Sequence, residues 1–160
     1  MKEFREIVRK KQALSKEECI AILKEEKRGV LSVYGLEGYP YGMPINHYYD
    51  EESGCIYFHG GKGGHKIEAM RQDDRVSYCV YDEGYRREGE WALNIKSVIV
   101  FGHIEFVDSL EETEKISRAL CYKFTDDETY IQREIDKSLK GTLCFKLIPE
   151  HISGKLVNEA

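Results

Sequence analysis

The eight residues His59-Gly60-Gly61-Lys62-Gly63-Gly64-His65-Lys66 hold four glycines, two lysines and two histidines. Glycine takes positive φ without a steric penalty and lets the backbone approach a ligand closely. A helical pattern begins directly behind the loop. Its first turn offers unpaired N–H groups and the positive end of a dipole. The apolar, aromatic run Ile56-Tyr57-Phe58 leads into the loop from the other side. Strand, glycine loop, helix start and cation are the parts of a phosphate cradle. The residues also leave open a polar surface loop, although four glycines in five positions add backbone entropy that folding must remove.

Two familiar phosphate loops are excluded by spacing. A Walker A loop needs Ser or Thr after its lysine, and Ile67 follows Lys66. A dinucleotide fingerprint needs a third glycine where Gly61-Lys62-Gly63-Gly64-His65-Lys66 ends in lysine, which blocks close helix–strand packing. Other site chemistry is not legible. Cys19, Cys55, Cys79, Cys121 and Cys144 form no C-x-x-C, and His47, His59, His65, His103 and His151 form no H-E-x-x-H. Cysteine, histidine and carboxylates gather into no acid–base pair or activated nucleophile.

The elements that must position the loop read as an α+β, mainly β, domain. Ser15-Lys16-Glu17-Glu18 has capping-box form, with Cys19, Ile20, Ile22 and Leu23 behind it at helical spacing and Gly29 as the expected stop. Val30–Tyr34 reads as a strand, Leu36-Glu37-Gly38 as a turn, and Tyr39–Tyr49 as an extended stretch. Pro40, Gly42 and Pro44 make that stretch an edge or a bend. Asp50–Gly54 is a hairpin loop before the strand Cys55–His59. A short helix carrying Ile67, Ala69 and Met70 ends near Asp73-Asp74. The strands Arg75–Tyr81 and Trp91–Val107 follow, with an exposed charged loop at 82–90 between them. Ser109 and Thr125 each open a capping box, the second for a helix with Ile131, Ile135 and Leu139 on one face. Gly141 ends that helix, and Thr142–Ile148 is the last strand, which Pro149–Val157 extends or flanks. Strands in hairpin-length succession point to antiparallel pairing in a small barrel or sandwich.

The chain of 160 residues is long enough for one domain with a real core, with residues 1–14 as an N-terminal arm. Its 41% hydrophobic and 33% charged residues fit a globular protein, and a net charge of −5 with no basic stripe argues against nucleic-acid binding. No apolar run approaches the roughly 20 residues of a membrane span. The opening Met1–Lys11 is charged throughout and unlike a signal peptide. Five scattered cysteines in apolar segments are expected to be reduced thiols in a cytoplasmic protein.

Three patches together resemble the pyridoxamine 5′-phosphate oxidase-like flavin-binding proteins, and among them the nitroimidazole-resistance group. They are Gly42–Tyr49 (GMPINHYY), Ile56–Ile67 (IYFHGGKGGHKI) and Lys96–Gly102 (KSVIVFG), in order over roughly residues 15–155, with Ile152-Ser153-Gly154-Lys155 resembling the family's ending. The resemblance implies a split β-barrel of six or so antiparallel strands with flanking helices, forming a homodimer with flavin between the subunits. FMN is the usual cofactor, and some members hold FAD or haem. On that pattern Lys66 pairs with the phosphate, and His59 and Gly60 line the same pocket, flanked by Lys62 and His65. Met43, Pro44, Ile45 and Asn46 border the isoalloxazine ring, and Lys96 and Ser97 face the cofactor, in some members from the partner subunit. The arginine and tryptophan substrate motifs of the true pyridoxamine phosphate oxidase are absent, and Trp91 lies too far from the C-terminus to replace the late tryptophan.

The residues themselves divide by role. Lys66 is a cation at a helix N-terminus, unfavourable there without an anion. His59 is either a ligand donor or a hydrogen-bonded wall residue, and Lys62 either a secondary contact or solvated. Tyr48 and Tyr49 alternate, so at most one faces a pocket. Arg86 and Arg87 are expected to be solvated. The function implied is an FMN-dependent oxidoreductase, reduced by NADH or NADPH and passing electrons to a small organic acceptor such as a nitroaromatic. A flavin or haem binder without turnover is the alternative, and a dimeric module with an empty cleft is a third.

Overall fold

Backbone partners decide where each element starts and stops. The computed structural model describes residues 2–160, with four α-helices and seven strands among them. In chain order they are α1 (Lys16–Glu25), β1 (Arg28–Tyr34), β2 (Pro40–Asn46), β3 (Tyr48–Tyr49), β4 (Ile56–Gly61), α2 (His65–Gln72), β5 (Arg75–Tyr81), β6 (Asn94–Phe106), α3 (Leu110–Tyr122), α4 (Glu128–Ser138) and β7 (Thr142–Asn158). The capping box at α1 is reciprocal: Ser15 Oγ accepts from the Glu18 amide at 3.2 Å and Glu18 Oε1 accepts from the Ser15 amide at 3.2 Å. Helix α1 ends at Glu25, short of Gly29. Gly29 instead lies inside β1, where a Cβ would stand 2.8 Å from the Tyr78 ring and collide with the Cys79 carbonyl. Close packing of β1 on β5 requires the glycine, not a helix terminus.

The last capping position also moves. The amides of Phe124 and Thr125 both donate to Cys121 O, closing α3, so Thr125 still belongs to that helix end. Asp127 caps α4 instead, accepting from the Tyr130 amide at 3.0 Å. Ile131 and Ile135 are buried as expected.

All pairings are antiparallel, in the order β2-β1-β5-β6-β7-β4-β3. The segment Tyr39–Tyr49 makes two strands, and the last segment makes one strand of 17 residues, giving seven. Strands β2 and β3 are neighbours in the chain, separated by His47 alone, yet they stand at opposite ends of the sheet order. The sheet therefore curls until its edges approach, the split-barrel arrangement. Pro40 and Pro44 sit in β2, an edge strand, where their missing N–H groups break no second ladder. Inside, Phe58 stacks on Phe145 with centroids 5.3 Å apart and meets Tyr78 edge-on at 4.9 Å. Helix α3 covers a second cluster of Cys55, Tyr57, Ile116, Leu120 and Cys144. Cys19 is buried as well, while Cys79 and Cys121 are half-buried.

The β2–β3 corner is fastened by a buried polar network. The Leu23 carbonyl can only accept, so His47 Nε2 carries the proton and donates to it at 2.7 Å. Nδ1 lies 2.7 Å from the Tyr78 hydroxyl, which also reaches the Ile45 carbonyl at 3.0 Å with its single proton. Lys123 donates to the carbonyls of Glu26 and His47 at 2.5 and 2.8 Å, joining the ends of α1 and α3 to the corner. Burial, reinforced by Lys123, holds the His47 pKa down at about 4 against an ordinary 6.5, and burial brings Lys123 itself down to about 8. Between pH 6.5 and 4 the unfolded chain protonates this histidine and the folded chain does not. Stability is thus fully present above the unfolded value and is lost as pH falls toward the folded one, by about 3 kcal/mol. Urea midpoints measured from about pH 7 down to pH 5 should fall in the wild type and fall less in His47→Gln. Identical slopes would mean that His47 is not held neutral in the fold.

Candidate functional site: a glycine-loop anion cradle

Strand β4 pairs with β7 to its last residue, Gly61 opposite Thr142, and the chain then turns through Lys62-Gly63-Gly64 into α2. Gly64 is the N-cap, with φ 107°, a conformation that favours glycine. It has no side chain to cap the helix. The first amide of α2 to find a backbone acceptor is Glu68, on Gly64 O at 3.1 Å. The amides of His65, Lys66 and Ile67 donate to no acceptor among the described residues. Lys66 bends back over the loop, with Nζ 3.3 Å from where a Cβ on Gly60 would be. Any side chain at position 60 would crowd that space. Among the described residues Lys66 makes no ion pair or hydrogen bond, although it is half-buried. A cation, three free amides and a helix dipole thus converge with no protein anion to meet them, the electrostatics of a phosphate site.

The other expected residues separate into groups. His59 precedes the loop on β4 opposite Cys144 and is exposed at the surface. Partial burial and then the Lys66 ammonium hold its pKa below the usual histidine range. Lys62 is exposed. His65 turns away from the loop: it stacks on Tyr41 at 4.2 Å, and its Nε2 accepts from the Leu36 amide at 3.3 Å, 3.4 Å from Glu37. It pins the β1–β2 turn to the start of α2. Sequence reasoning passed over Tyr41, and the tyrosine cluster around Pro40 was its only signal.

Strand alternation divides the β2 patch. Met43 and Ile45 pack against the main core, whereas Pro44 and Asn46 point outward, Asn46 Oδ1 accepting from Arg28 Nε at 3.2 Å. Tyr49 is in the core and Tyr48 packs on the second cluster. Arg86 and Arg87 are exposed. Lys96 and Ser97 lie elsewhere. Ser97 pairs with Tyr81 at one end of β5, whereas the turn that His65 holds adjoins the other end, where Val76 pairs with Val33. From Tyr81 to Arg75 is roughly 20 Å at about 3.3 Å per residue. Lys96 Nζ faces Glu18 at 3.6 Å. One chain does not bring these two residues to the glycine loop.

The family described as pyridoxamine 5′-phosphate oxidase matches residues 15–156, which include the glycine loop, β2 and the Lys96–Gly102 stretch. The chain belongs to that family. No curated protein matches its sequence. Among solved structures, a candidate 5-nitroimidazole antibiotic resistance protein from Bacteroides thetaiotaomicron superposes with TM-score 0.77 at 20% identity, over 91% of this chain and 87% of that one. A FAD-binding protein from Mesorhizobium loti gives 0.67 at 26% identity, over 91% and 97%. A FAD and haem binding protein from Mycobacterium smegmatis gives 0.73 at 22%, over 94% and 74%. The likeness confirms the split-barrel fold of the family. No helix among the described residues is long and apolar enough to cross a membrane.

The coupling of His59 to Lys66 can be measured. Lys66→Ala removes one of the two causes depressing the imidazole, so the His59 titration followed by NMR should move to higher pH. A curve unchanged by the substitution would show that the Lys66 ammonium does not sit beside it.

Proposed function

We propose that this protein is a homodimeric, cytoplasmic flavoprotein that binds FMN and acts as an oxidoreductase on a small organic acceptor, with a nitroaromatic as the favoured class. The observation that carries the reading is the half-buried, unpaired Lys66 folded over Gly60 at the uncapped start of α2. A phosphate monoester presents three terminal oxygens to converging donors, which suits Lys66 and the amides of residues 65–67 better than a bridging diester does. That favours FMN over FAD. Edge strand β2 runs beside the cradle, and its outer edge has backbone donors and acceptors free to meet a flavin ring. Asn46 and Pro44 flank that edge on the outward side.

Two copies are favoured by the distance between the cradle and Lys96–Ser97, which a second chain can span. The outward sheet face also exposes Val30, Tyr81, Ile99 and Phe101, an apolar surface of the kind that association covers. When bound, the flavin supplies the redox chemistry, accepting electrons from a nicotinamide nucleotide and releasing them to the acceptor. The chain's own contribution is to anchor the phosphate through Lys66, to exclude water with the apolar face, and to keep His59 neutral as a hydrogen-bonding group beside the anchor.

Lys66→Ala should weaken FMN roughly 10- to 100-fold, the worth of a charge-assisted hydrogen bond of about 1.5–3 kcal/mol, and leave riboflavin affinity within about twofold. Equal losses for both ligands would remove Lys66 from the phosphate. Anaerobic bleaching of the flavin by NADH or NADPH, and its return on adding a nitroaromatic, tests the enzyme reading. Flavin that binds but does not cycle would make the protein a carrier or sensor.

A further inference from the structure

The β3–β4 hairpin loop and the glycine loop sit at opposite ends of β4, roughly 17 Å apart at about 3.3 Å per residue. At the hairpin end is a cavity of about 390 Å³. Two tyrosines of β3, Tyr48 and Tyr49, line it together with Lys123, the residue that follows α3. The rest of its wall is charged, with three carboxylates of the hairpin loop and the single ammonium of Lys24. Glu51 is taken by Lys24 at 2.5 Å, and Asp50 accepts from the amide and hydroxyl of Ser53. Glu52 makes no ion pair among the described residues.

Lys123 is half-buried and also makes no ion pair among the described residues. Its Nζ is held by the carbonyls of Glu26 and His47 instead. An ammonium carries three N–H groups, and the third meets no protein acceptor among the described residues. A neutral amine carries two, which those carbonyls satisfy, and its lone pair then takes the third position. Besides the groups of the cavity, the Glu26 carboxylate favours the proton, while Lys27, with its ammonium 5.2 Å from the Phe124 ring, disfavours it. The adjoining His47 ring is neutral. Burial outweighs the carboxylate, Lys27 reinforces it, and the Lys123 pKa comes down to about 8. At pH 7.5 about a quarter of such an amine is neutral, against about 0.1% of an ordinary lysine.

We infer that Lys123 is a condensing amine, and that a small neutral aldehyde entering the hairpin cavity forms an imine with its Nζ. The lone pair attacks the carbonyl carbon, and one amine proton passes to the oxygen. The C–O bond then breaks, the hydroxyl leaves as water with the second amine proton, and a C=N bond remains. No oxidant or reductant is consumed. A protonated imine keeps one N–H for one of the two carbonyls. The tyrosines suit a hydrocarbon tail, and the excess of carboxylates disfavours an anionic carbonyl compound. The site shares no residue with the glycine cradle or with the apolar face of Val30, Tyr81, Ile99 and Phe101, and it does not depend on the flavin reading.

The test treats the purified full chain with butyraldehyde or with glyoxylate, quenches with borohydride at successive times, and maps the labelled lysines by peptide mass spectrometry. With butyraldehyde at pH 7.5, Lys123 should react at least about tenfold faster than the exposed Lys137 and Lys140, its neutral fraction outweighing its lower basicity. Its rate should rise up to about pH 8 and then level, while theirs goes on rising toward about pH 10. With glyoxylate its lead should shrink at least about threefold. Lys123→Arg keeps a cation and donors for both carbonyls, and in it the fast adduct should vanish from the intact mass. A Lys123 rate no greater than that of the exposed lysines, or a profile parallel to theirs, would overturn the assignment. So would an undiminished lead with glyoxylate, or a fast adduct that survives in Lys123→Arg.

Discussion

Between β2 and β3 the chain passes from one edge of the sheet to the other through a single residue, and the buried imidazole of His47 fastens that passage to α1 and β5. Burial and the nearby Lys123 keep the residue neutral, with its ring nitrogens set against Leu23 O and the Tyr78 hydroxyl. Lys123 bridges the carbonyls on either side of it. Buried polar groups are tolerated only when all are satisfied, and such a network admits few alternative arrangements. The curl of the sheet follows from it, and so does the place of β2 as an edge.

That edge is what gives the glycine loop its neighbours. Strand β4 arrives paired with β7, and α2 starts where Gly64 allows the turn. The β1–β2 turn is brought back to the start of α2 by the stack of Tyr41 on His65. The loop is thereby anchored on both sides while its amides and Lys66 stay free of protein partners. A cation left uncompensated beside a helix N-terminus works against folding, and a bound anion reverses that sign. Ligand and fold stability are in this way linked through one lysine.

Much of this was legible beforehand for a local reason. Capping boxes, the alternation of Arg75–Tyr81 and the hairpin loop at Asp50–Gly54 are interactions among residues a few positions apart, so spacing alone reveals them. Gly29 was misread because close packing between strands and helix termination both call for glycine, and the sequence does not say which partner is near. Thr125 was misread for a similar reason, since the end of α3 already claims its amide. In the site, Lys66 and Gly60 were readable because the loop is continuous in the chain. His65 was grouped with them by position, and its ring turned out to serve the β1–β2 turn. Met43 to Asn46 looked like one patch, and the period of two along a strand divides it between core and surface.

By itself the sequence determined the parts of the cradle, the antiparallel class and the family, because glycine freedom, helix capping and apolar alternation are properties of short segments. Tertiary structure alone decided which donors are left without protein partners. It also decided that Lys96 and Ser97 stand apart from the loop, and that the arm lies across the outer face with Phe4 on His151. Those outcomes depend on strand order and on the direction in which the sheet curls. Both are set by contacts between residues far apart in the chain, above all at His47, and no local pattern encodes them.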